Sequence, residues 1–308
     1  MLTQSAVMDF ALARPAASWL DVFTTLADFA IVTFDVAPEK LGALLPPGFE
    51  PEVFTLDDGR RRAFVSAVPF RDLDFRFHRM PWPRFAFPQV NYRAYVRRGE
   101  ERVAWFFGTT LDTLWVTVPR VAWQLPWRRV RSRSKATWRG EVLEDYALDN
   151  TGPWGAATLR LSGTPEPAGR LDGFTDEDET ALVLTHPLVG WMHRLDGRLT
   201  TYSVWHERLV MQRARVHEAR FAVFETLGLI GPGQTPHSVL VQKRTEFHIC
   251  LPPRCPEATI SAGHPGQGGL SRPAGLGVVD AQVSAEERAT SREEVAELRG
   301  IAGRPRPP

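Results

Sequence analysis

The stretch FPQVNYRAYVRRGEERVAWFFGTT, residues 87–110, decides the fold prediction because it carries two strand-like runs on either side of Gly99. Successive side chains of an extended chain point to opposite faces. One face of the first run is therefore polar and carries Gln89, Asn91, Arg93 and Tyr95. The opposite face is more apolar and carries Val90, Tyr92, Ala94 and Val96. This apolar face is expected to pack beneath outer helices.

The second run, Val103–Gly108, is almost wholly apolar, which is typical of a strand covered on both sides. The charged link at 97–102 contains glycine and predicts a hairpin loop. The polar stripe of the first strand would be costly inside a core unless its groups were paired. It therefore predicts the wall of a ligand cavity, an internal hydrogen-bonded network or a solvated sheet face, and these three interpretations stay open.

The composition is that of a protein with an ordinary apolar core. The chain has 308 residues, 43% of them hydrophobic, and a net charge of +1. The net charge gives no field that would attract nucleic acid or an anionic membrane. No segment approaches the roughly 18–20 apolar residues that span a bilayer, and no signal peptide is apparent. We therefore expect a cytoplasmic protein without a membrane partner.

Many short strand patterns and few helical patterns occur along the chain, without a regular β-α-β alternation. This favours an α+β fold built on a closed, mostly antiparallel sheet with short outer helices. Residues 1–21 are predicted to form a leader, and residues 22–254 a single domain. In residues 255–308 glycine, proline and arginine replace large apolar residues, which predicts a disordered tail.

Five motifs carry a resemblance to a known family. They are FDVAPEKLGALLPPGFE (34–50), AFVSAVPF (63–70), QVNYRAYV (89–96), WQLPWR (123–128) and LVQKRTEFHICLPP (240–253). Together they resemble the YqjF-like bacterial family of unknown function, which is similar in fold to the acetoacetate decarboxylase superfamily. The resemblance covers residues 22–254. It implies a closed, conical β-barrel with helices outside and a ligand cavity within.

The resemblance also implies where chemistry would be expected. Decarboxylases of this superfamily form a Schiff base on a lysine that follows a proline and is activated by a second lysine. At the similar place this chain has Pro126 followed by Trp127, and tryptophan forms no imine. Family members commonly carry a glutamate where Gln89 stands, and an amide does not shuttle protons. We therefore predict no Schiff-base decarboxylation, and no cofactor.

Arg93 is predicted to anchor a ligand, because a guanidinium binds a carboxylate through two parallel hydrogen bonds. Asn91 and Tyr95 are expected beside it. His206, which the resemblance matches to a histidine position, is expected across the cavity as a general base or a hydrogen-bonding contact. The alternatives are a strand-end histidine bonded to the backbone, and an internal salt bridge between Arg93 and Glu246 on the last strand.

A basic run over residues 128–139 is a second candidate site. Four of its side chains would project from one strand face: Arg129, Arg131, Arg133 and Lys135. Such a run can bind phosphate groups or RNA, but it can also protect an exposed sheet edge from aggregation, and we favour the edge. Lys135 is accordingly expected to be solvated.

Metal-site motifs are lacking, because the histidines show no HxH or HExxH spacing and Cys250 and Cys255 have no evident further ligands. We therefore predict no metal. Two functions remain open. One is an enzyme that acts on a small carbonyl or carboxylate compound by a lysine-free route, and the other is a non-catalytic protein that binds or senses such a molecule. RNA binding is a distant third, and the substrate and oligomeric state stay open.

Overall fold

The structure is a computed structural model and describes residues 14–255. Its first seven strands are β1 (Val22–Val36), β2 (Glu50–Pro51), β3 (Phe54–Thr55), β4 (Arg61–Phe77), β5 (Phe85–Arg98), β6 (Glu101–Leu111) and β7 (Trp127–Arg129). The others are β8 (Arg131–Arg139), β9 (Val142–Thr151), β10 (Ala157–Pro167), β11 (Val189–His193), β12 (Leu199–Trp205), β13 (Gln212–Phe221) and β14 (Ser238–Arg254). The helices are α1 (Pro38–Gly42), α2 (Thr117–Trp123), α3 (Glu177–Thr185) and α4 (Ala222–Thr226), and a 3-10 turn spans Leu114–Val116.

Seven strands form a ring of hydrogen-bonded neighbours. Their order is β1-β4-β5-β6-β11-β12-β14, and β14 pairs again with β1. This last pairing is antiparallel and runs from Val22 opposite Ile249 to Thr33 opposite Ser238. Within the ring only β6 and β11 run parallel. The prediction of a mostly antiparallel sheet with few helices is confirmed.

The same sheet continues past β14 into an antiparallel part, β13-β10-β9-β8, which we call the second sheet. Its Leu148 and Leu159 share one apolar core with Val65 and Tyr92 of the ring. From α4, Phe224 adds an edge-to-face contact, with 5.6 Å between its ring centroid and that of Tyr92. The apolar face of β5 is therefore covered mainly by this sheet. The prediction that outer helices cover this face is wrong. Alternation shows that a face is covered, but it does not show which kind of element covers it.

The start of helix α3 is stabilised by an N-cap hydrogen bond from a backbone N–H of its first turn to the Asp176 side chain. The side chain of Asp176 accepts a hydrogen bond from the backbone N–H of Glu179 at 2.7 Å. A carboxylate at this position caps free N–H groups and favours the positive end of the helix dipole. The last carbonyls of the helix, around Leu184, point toward the ring and are important for the candidate site.

Strand β11 is an element that sequence reasoning does not identify. It follows Pro187, which cannot continue a helix, and it pairs with β6 through Gly190 opposite Ala104. A Cβ atom at Gly190 would lie 2.6 Å from the ring of Phe106. Only glycine fits this close approach, so a single small residue permits the parallel pair that completes the ring.

Strand β8 is the last strand in the sheet order, at an edge. Its basic side chains Arg131, Arg133 and Lys135 are exposed, as is Arg129 before it. Lys135 is solvated as predicted. Charged side chains on an edge strand oppose sheet-to-sheet association, which supports the interpretation of the run as a protected edge.

Residues 14–21 contain no helix or strand. Residues 1–13 and 256–308 lie outside the described residues, so the predicted leader is only partly described and the predicted disordered tail lies almost wholly beyond them. Within the described range, no helix is long and apolar enough to cross a membrane.

The shared core between ring and second sheet should carry much of the stability. Leu159 is fully buried there, so Leu159→Ala should lower the free energy of unfolding by about 3 kcal/mol, because it removes apolar contacts and leaves a cavity. Leu195→Ala removes the same atoms from an exposed site and should cost less than about 1 kcal/mol. Urea denaturation of both variants measures the difference. Equal losses would contradict this packing.

Candidate functional site

A cavity of about 390 Å³ lies against the ring. Strands β1, β4, β5, β6, β12 and β14 line it, together with α2 and the 3-10 turn. Most lining side chains are apolar, and many are aromatic. The polar side chains in the wall include Thr24, Asp72, Gln89, Asn91, Arg93, Thr109, Tyr202 and His206. Such a site suits a mainly apolar ligand that is oriented by a few polar groups.

Three of the four residues in the predicted polar stripe line this cavity: Gln89, Asn91 and Arg93. The two amides are linked, because the side-chain nitrogen of Gln89 donates to Oδ1 of Asn91 at 2.9 Å. The hydroxyl of Thr109 on β6 donates to the same oxygen at 2.8 Å. Both acceptor positions of Asn91 are thus in use, and the amide is oriented with its N–H donors available to a ligand.

Arg93 is held by a backbone carbonyl. Its Nη2 donates to the carbonyl of Leu184 in the last turn of α3 at 2.7 Å and, over a longer 3.4 Å, to the hydroxyl of Tyr95. Its Nε is buried without a hydrogen-bond partner among residues 14–255. Within that range no carboxylate forms an ion pair with it. Glu246 is exposed and pairs across the strands with Thr25. The alternative of an internal Arg93–Glu246 salt bridge is therefore not realised.

Tyr95 occupies a different environment from the other three residues. It is 2% exposed and is not part of the cavity lining. Its hydroxyl donates to the Leu184 carbonyl at 3.2 Å and bonds the hydroxyl of Ser66 at 2.8 Å. Tyr95 thus shares a strand face with Arg93, but α3 covers the strand at Tyr95 and separates it from the cavity.

His206 lines the cavity and is 2% exposed. Burial lowers its pKa to about 4, and the nearby Arg93 and His186 add to that effect, so the ring is neutral at neutral pH. Its Nδ1 lies 2.8 Å from the carbonyl of Glu207, and its ring stacks on Phe247 at 4.4 Å. His206 therefore lies in the wall of the same cavity as Arg93. Its low pKa disfavours a role as general base.

Asp72 is a polar residue in the wall that sequence reasoning misses. It is 2% exposed, its Oδ1 accepts a hydrogen bond from the hydroxyl of Thr24 at 2.8 Å, and its Oδ2 has no partner in the described residues. Burial raises its pKa to about 7, against the smaller opposite effect of Thr24. A carboxyl group with a pKa near 7 in the wall of a cavity is a candidate proton donor or acceptor.

Trp127, at the place that the resemblance assigns to a nucleophilic lysine, also lines the cavity. The chain has three lysines, and none of them lines it. Lys40 and Lys135 are exposed, and Nζ of Lys243 donates to the carbonyl of Gly140 at 2.7 Å. An amine nucleophile is therefore absent from the wall as the structure describes it.

One cluster in the described residues has metal-ligand chemistry, formed by Asp21, His248 and Cys250 with ligand atoms within 4.8 Å of one another. Both carboxylate oxygens of Asp21 are already hydrogen-bonded, one to His248 Nε2 at 2.7 Å and the other to the N–H of Leu251 at 3.0 Å. This arrangement ties the start of β1 to the end of β14, and it does not require a metal.

Residues 24–246 match the model of family DUF2071, described as an uncharacterized conserved protein. The chain belongs to this family. The match confirms the assignment to a family of unknown function made from the five motifs. A comparison with curated proteins finds no match.

Solved structures similar to this DUF2071 member include an acetoacetate decarboxylase from Legionella pneumophila subsp. pneumophila str. Philadelphia 1. It is 15% identical with a TM-score of 0.46, over 79% of this chain and 92% of that one. An acetoacetate decarboxylase-like enzyme from Sphingomonas wittichii RW1 is 11% identical with a TM-score of 0.48, over 77% and 94% of the two chains. The enduracididine biosynthesis enzyme MppR, complexed with the condensation product of pyruvate and imidazole 4-carboxaldehyde, is 13% identical with a TM-score of 0.48, over 80% and 92%. Similarity at this level assigns no activity.

The raised pKa of Asp72 makes stability depend on pH. Its folded-state pKa of about 7 lies above the usual 3.8, so ionisation in the folded state is unfavourable. Stability therefore falls as pH rises from about 4 to about 7 and levels off above that. Asp72→Asn cannot ionise. The unfolding free energy of Asp72→Asn minus that of the native protein should therefore be about 3 kcal/mol larger at about pH 8 than at about pH 5.

Urea denaturation at both pH values measures this gain. Asp145→Asn, at an exposed site on β9, is the matched control and should show a nearly constant difference. A flat response of Asp72→Asn would show that Asp72 ionises as freely as a solvated carboxyl.

Proposed function

We propose that the protein binds a mainly apolar molecule carrying a carboxylate or carbonyl group, with Arg93 as the anchor of that group. The observation that carries this proposal is the state of Arg93. Its guanidinium lines an apolar cavity, one N–H edge is held by a backbone carbonyl, and it has no ion-pair partner in the described residues.

The energetics favour an anionic partner at this position. A buried guanidinium with unused N–H groups is costly, and a carboxylate offsets that cost through charge-assisted hydrogen bonds. Asn91 lies two residues away on the same strand face, with its N–H groups available, and suits a carbonyl or the second carboxylate oxygen. His206, neutral and stacked on Phe247, completes an uncharged wall beside the arginine.

The ring of seven strands would act as the closed, conical barrel that the family resemblance implies, with the ligand inside it. The predicted setting, a bacterial cytoplasm, stays a prediction. Nucleic acid is disfavoured as a partner, because the basic run lies on an edge strand whose sheet also exposes Asp145 and Glu218.

Arg93→Met tests the anchor. In a thermal-shift screen of carboxylates and acyl compounds, a ligand that binds the folded state raises the melting temperature by mass action. For each carboxylate that stabilises the native protein, Arg93→Met should weaken binding at least about tenfold, because a hydrogen bond to a charged group is lost.

Tyr95→Phe is the matched control. It removes the hydroxyl that donates to the Leu184 carbonyl at 3.2 Å and accepts a long, 3.4 Å hydrogen bond from Arg93, and it keeps the guanidinium and the cavity lining. If Arg93 acts on the ligand, Tyr95→Phe keeps the affinity. Equal losses in the two variants would mean that Arg93 acts only by holding the end of α3, and unimpaired binding by Arg93→Met would end the anchor proposal.

A lysine-free enzyme is the second candidate function, and Asp72 is the observation that favours it. Asp72 lies opposite Phe87 across β4 and β5, so Gln89 is its diagonal neighbour at about 7–8 Å. A ligand carbonyl between the two side chains would place an adjacent C–H near Asp72. The carboxylate would take that proton, the C–H electron pair would form an enolate, and the amide N–H would stabilise the enolate oxygen.

This candidate makes a prediction that excludes the lysine route. Borohydride treatment in the presence of β-keto acids should trap no adduct, because the three lysines lie outside the cavity lining. Any enzyme-dependent exchange of deuterium into the carbon beside a ligand carbonyl, followed by NMR, should disappear in Asp72→Asn. A trapped lysine adduct, or exchange that survives the substitution, would refute proton transfer by Asp72.

A further inference from the structure

Several of the exposed large apolar side chains of residues 14–255 lie at or next to the opening of the cavity. Met80, Trp115 and Val118 are exposed and also line the cavity, so they mark its mouth. Trp82 and Val121 extend the same segments outward, 74% and 70% exposed. Clustered exposed apolar side chains of this kind mark interaction surfaces, whereas scattered ones do not.

The segments involved are held together by specific contacts. The ring of Phe85, just after the 78–84 loop, packs on Trp115 of the 3-10 turn at 5.1 Å between centroids. The loop at 194–198 joins them, because the N–H of Leu195 donates to the carbonyl of Gln124, directly after α2, at 2.7 Å. We define the mouth surface as three segments: the end of β4 with the loop after it (74–84), the 3-10 turn with the start of α2 (114–121), and the loop 194–198.

The charged residues of the mouth surface are predominantly basic. Its three segments contain six arginines and two aspartates, although the whole chain has a net charge of only +1. Asp74 pairs with Arg76 and Arg84, and Asp196 pairs with Arg194, so the positive charge exceeds what the two carboxylates neutralise. Arg79 is exposed, and Arg84 lies over the ring of Trp82 at 5.6 Å. Exposed tryptophan beside arginine is the combination that suits the interface of a bilayer with anionic lipids.

We propose that the mouth surface docks on an anionic lipid bilayer, with Trp82 and Val121 entering the interface and the arginines contacting headgroups. The apolar cavity opens within this same surface. An apolar ligand dissolved in the bilayer would then reach the cavity without exposing its apolar area to water. The docking proposal rests on the mouth surface alone and holds whichever ligand the cavity takes.

Vesicle flotation of the full-length protein tests this. It should float with vesicles of phosphatidylcholine mixed with phosphatidylglycerol, should remain unbound with phosphatidylcholine alone, and should lose binding as salt is raised. Trp82→Ser and Val121→Ser should each weaken binding about tenfold, because a large apolar side chain no longer enters the interface. Neither side chain lines the cavity, so their effects are separate from those of Arg93.

Val210→Ser is the matched control. Val210 is 78% exposed but borders a different surface depression, beside Glu177 and Pro167, and its substitution should leave flotation unchanged. Absence of flotation by the native protein, or equal binding by all three variants, would overturn the proposal. Concentration-dependent self-association without flotation, abolished by Trp82→Ser, would also overturn it and would assign the surface to a second copy of the chain.

Discussion

A guanidinium beside an apolar cavity must find hydrogen-bond acceptors, and the way Arg93 does so determines the structure around it. Its shortest hydrogen bond, 2.7 Å, goes to the carbonyl of Leu184, in the last turn of α3. Carbonyls at a helix C-terminus lack intrahelical partners and favour positive charge. Arg93 therefore gains an acceptor and α3 gains a capping group. The hydroxyl of Tyr95 bonds the same carbonyl, so one atom of the helix fixes two side chains of β5.

The faces of β5 could be predicted from sequence because strand alternation is a local property of the backbone. Tyr92 lies in the core and Arg93 faces the cavity, on opposite faces as alternation predicts. The fate of Tyr95 could not be predicted in the same way. Alternation assigns a residue to a face, but how far the cavity extends along that face depends on where α3 lies, more than 80 residues later in the chain.

The position of Asp72 in the cavity wall could not be predicted from sequence because its neighbours are also charged. The run Arg71-Asp72-Leu73-Asp74 breaks the apolar pattern of β4, yet the strand continues to Phe77. Extended alternation from Val68 through Phe70 puts Asp72 on the cavity face. The mouth surface was hidden for another reason. Its segments are far apart in sequence and individually short, and only the folded chain brings them together, through the contacts of Phe85 with Trp115 and of Leu195 with Gln124.

The order of polar groups along the cavity constrains what it can hold. Asp72 on β4 is opposite Phe87 on β5. Phe87 precedes Arg93 by six residues, so Asp72 and Arg93 are separated by about 20 Å along the strand direction. Trp115, at the mouth, packs on Phe85 near the Asp72 end, so Arg93 lies at the deeper end. A short ligand could therefore contact Arg93 or Asp72, but not both. A long amphiphile that enters with its carboxylate first would place that group at Arg93 and its apolar chain past the amides toward Asp72. Such a molecule is also the kind that partitions into a bilayer, so the depth of Arg93 and the apolar mouth favour the same class of ligand.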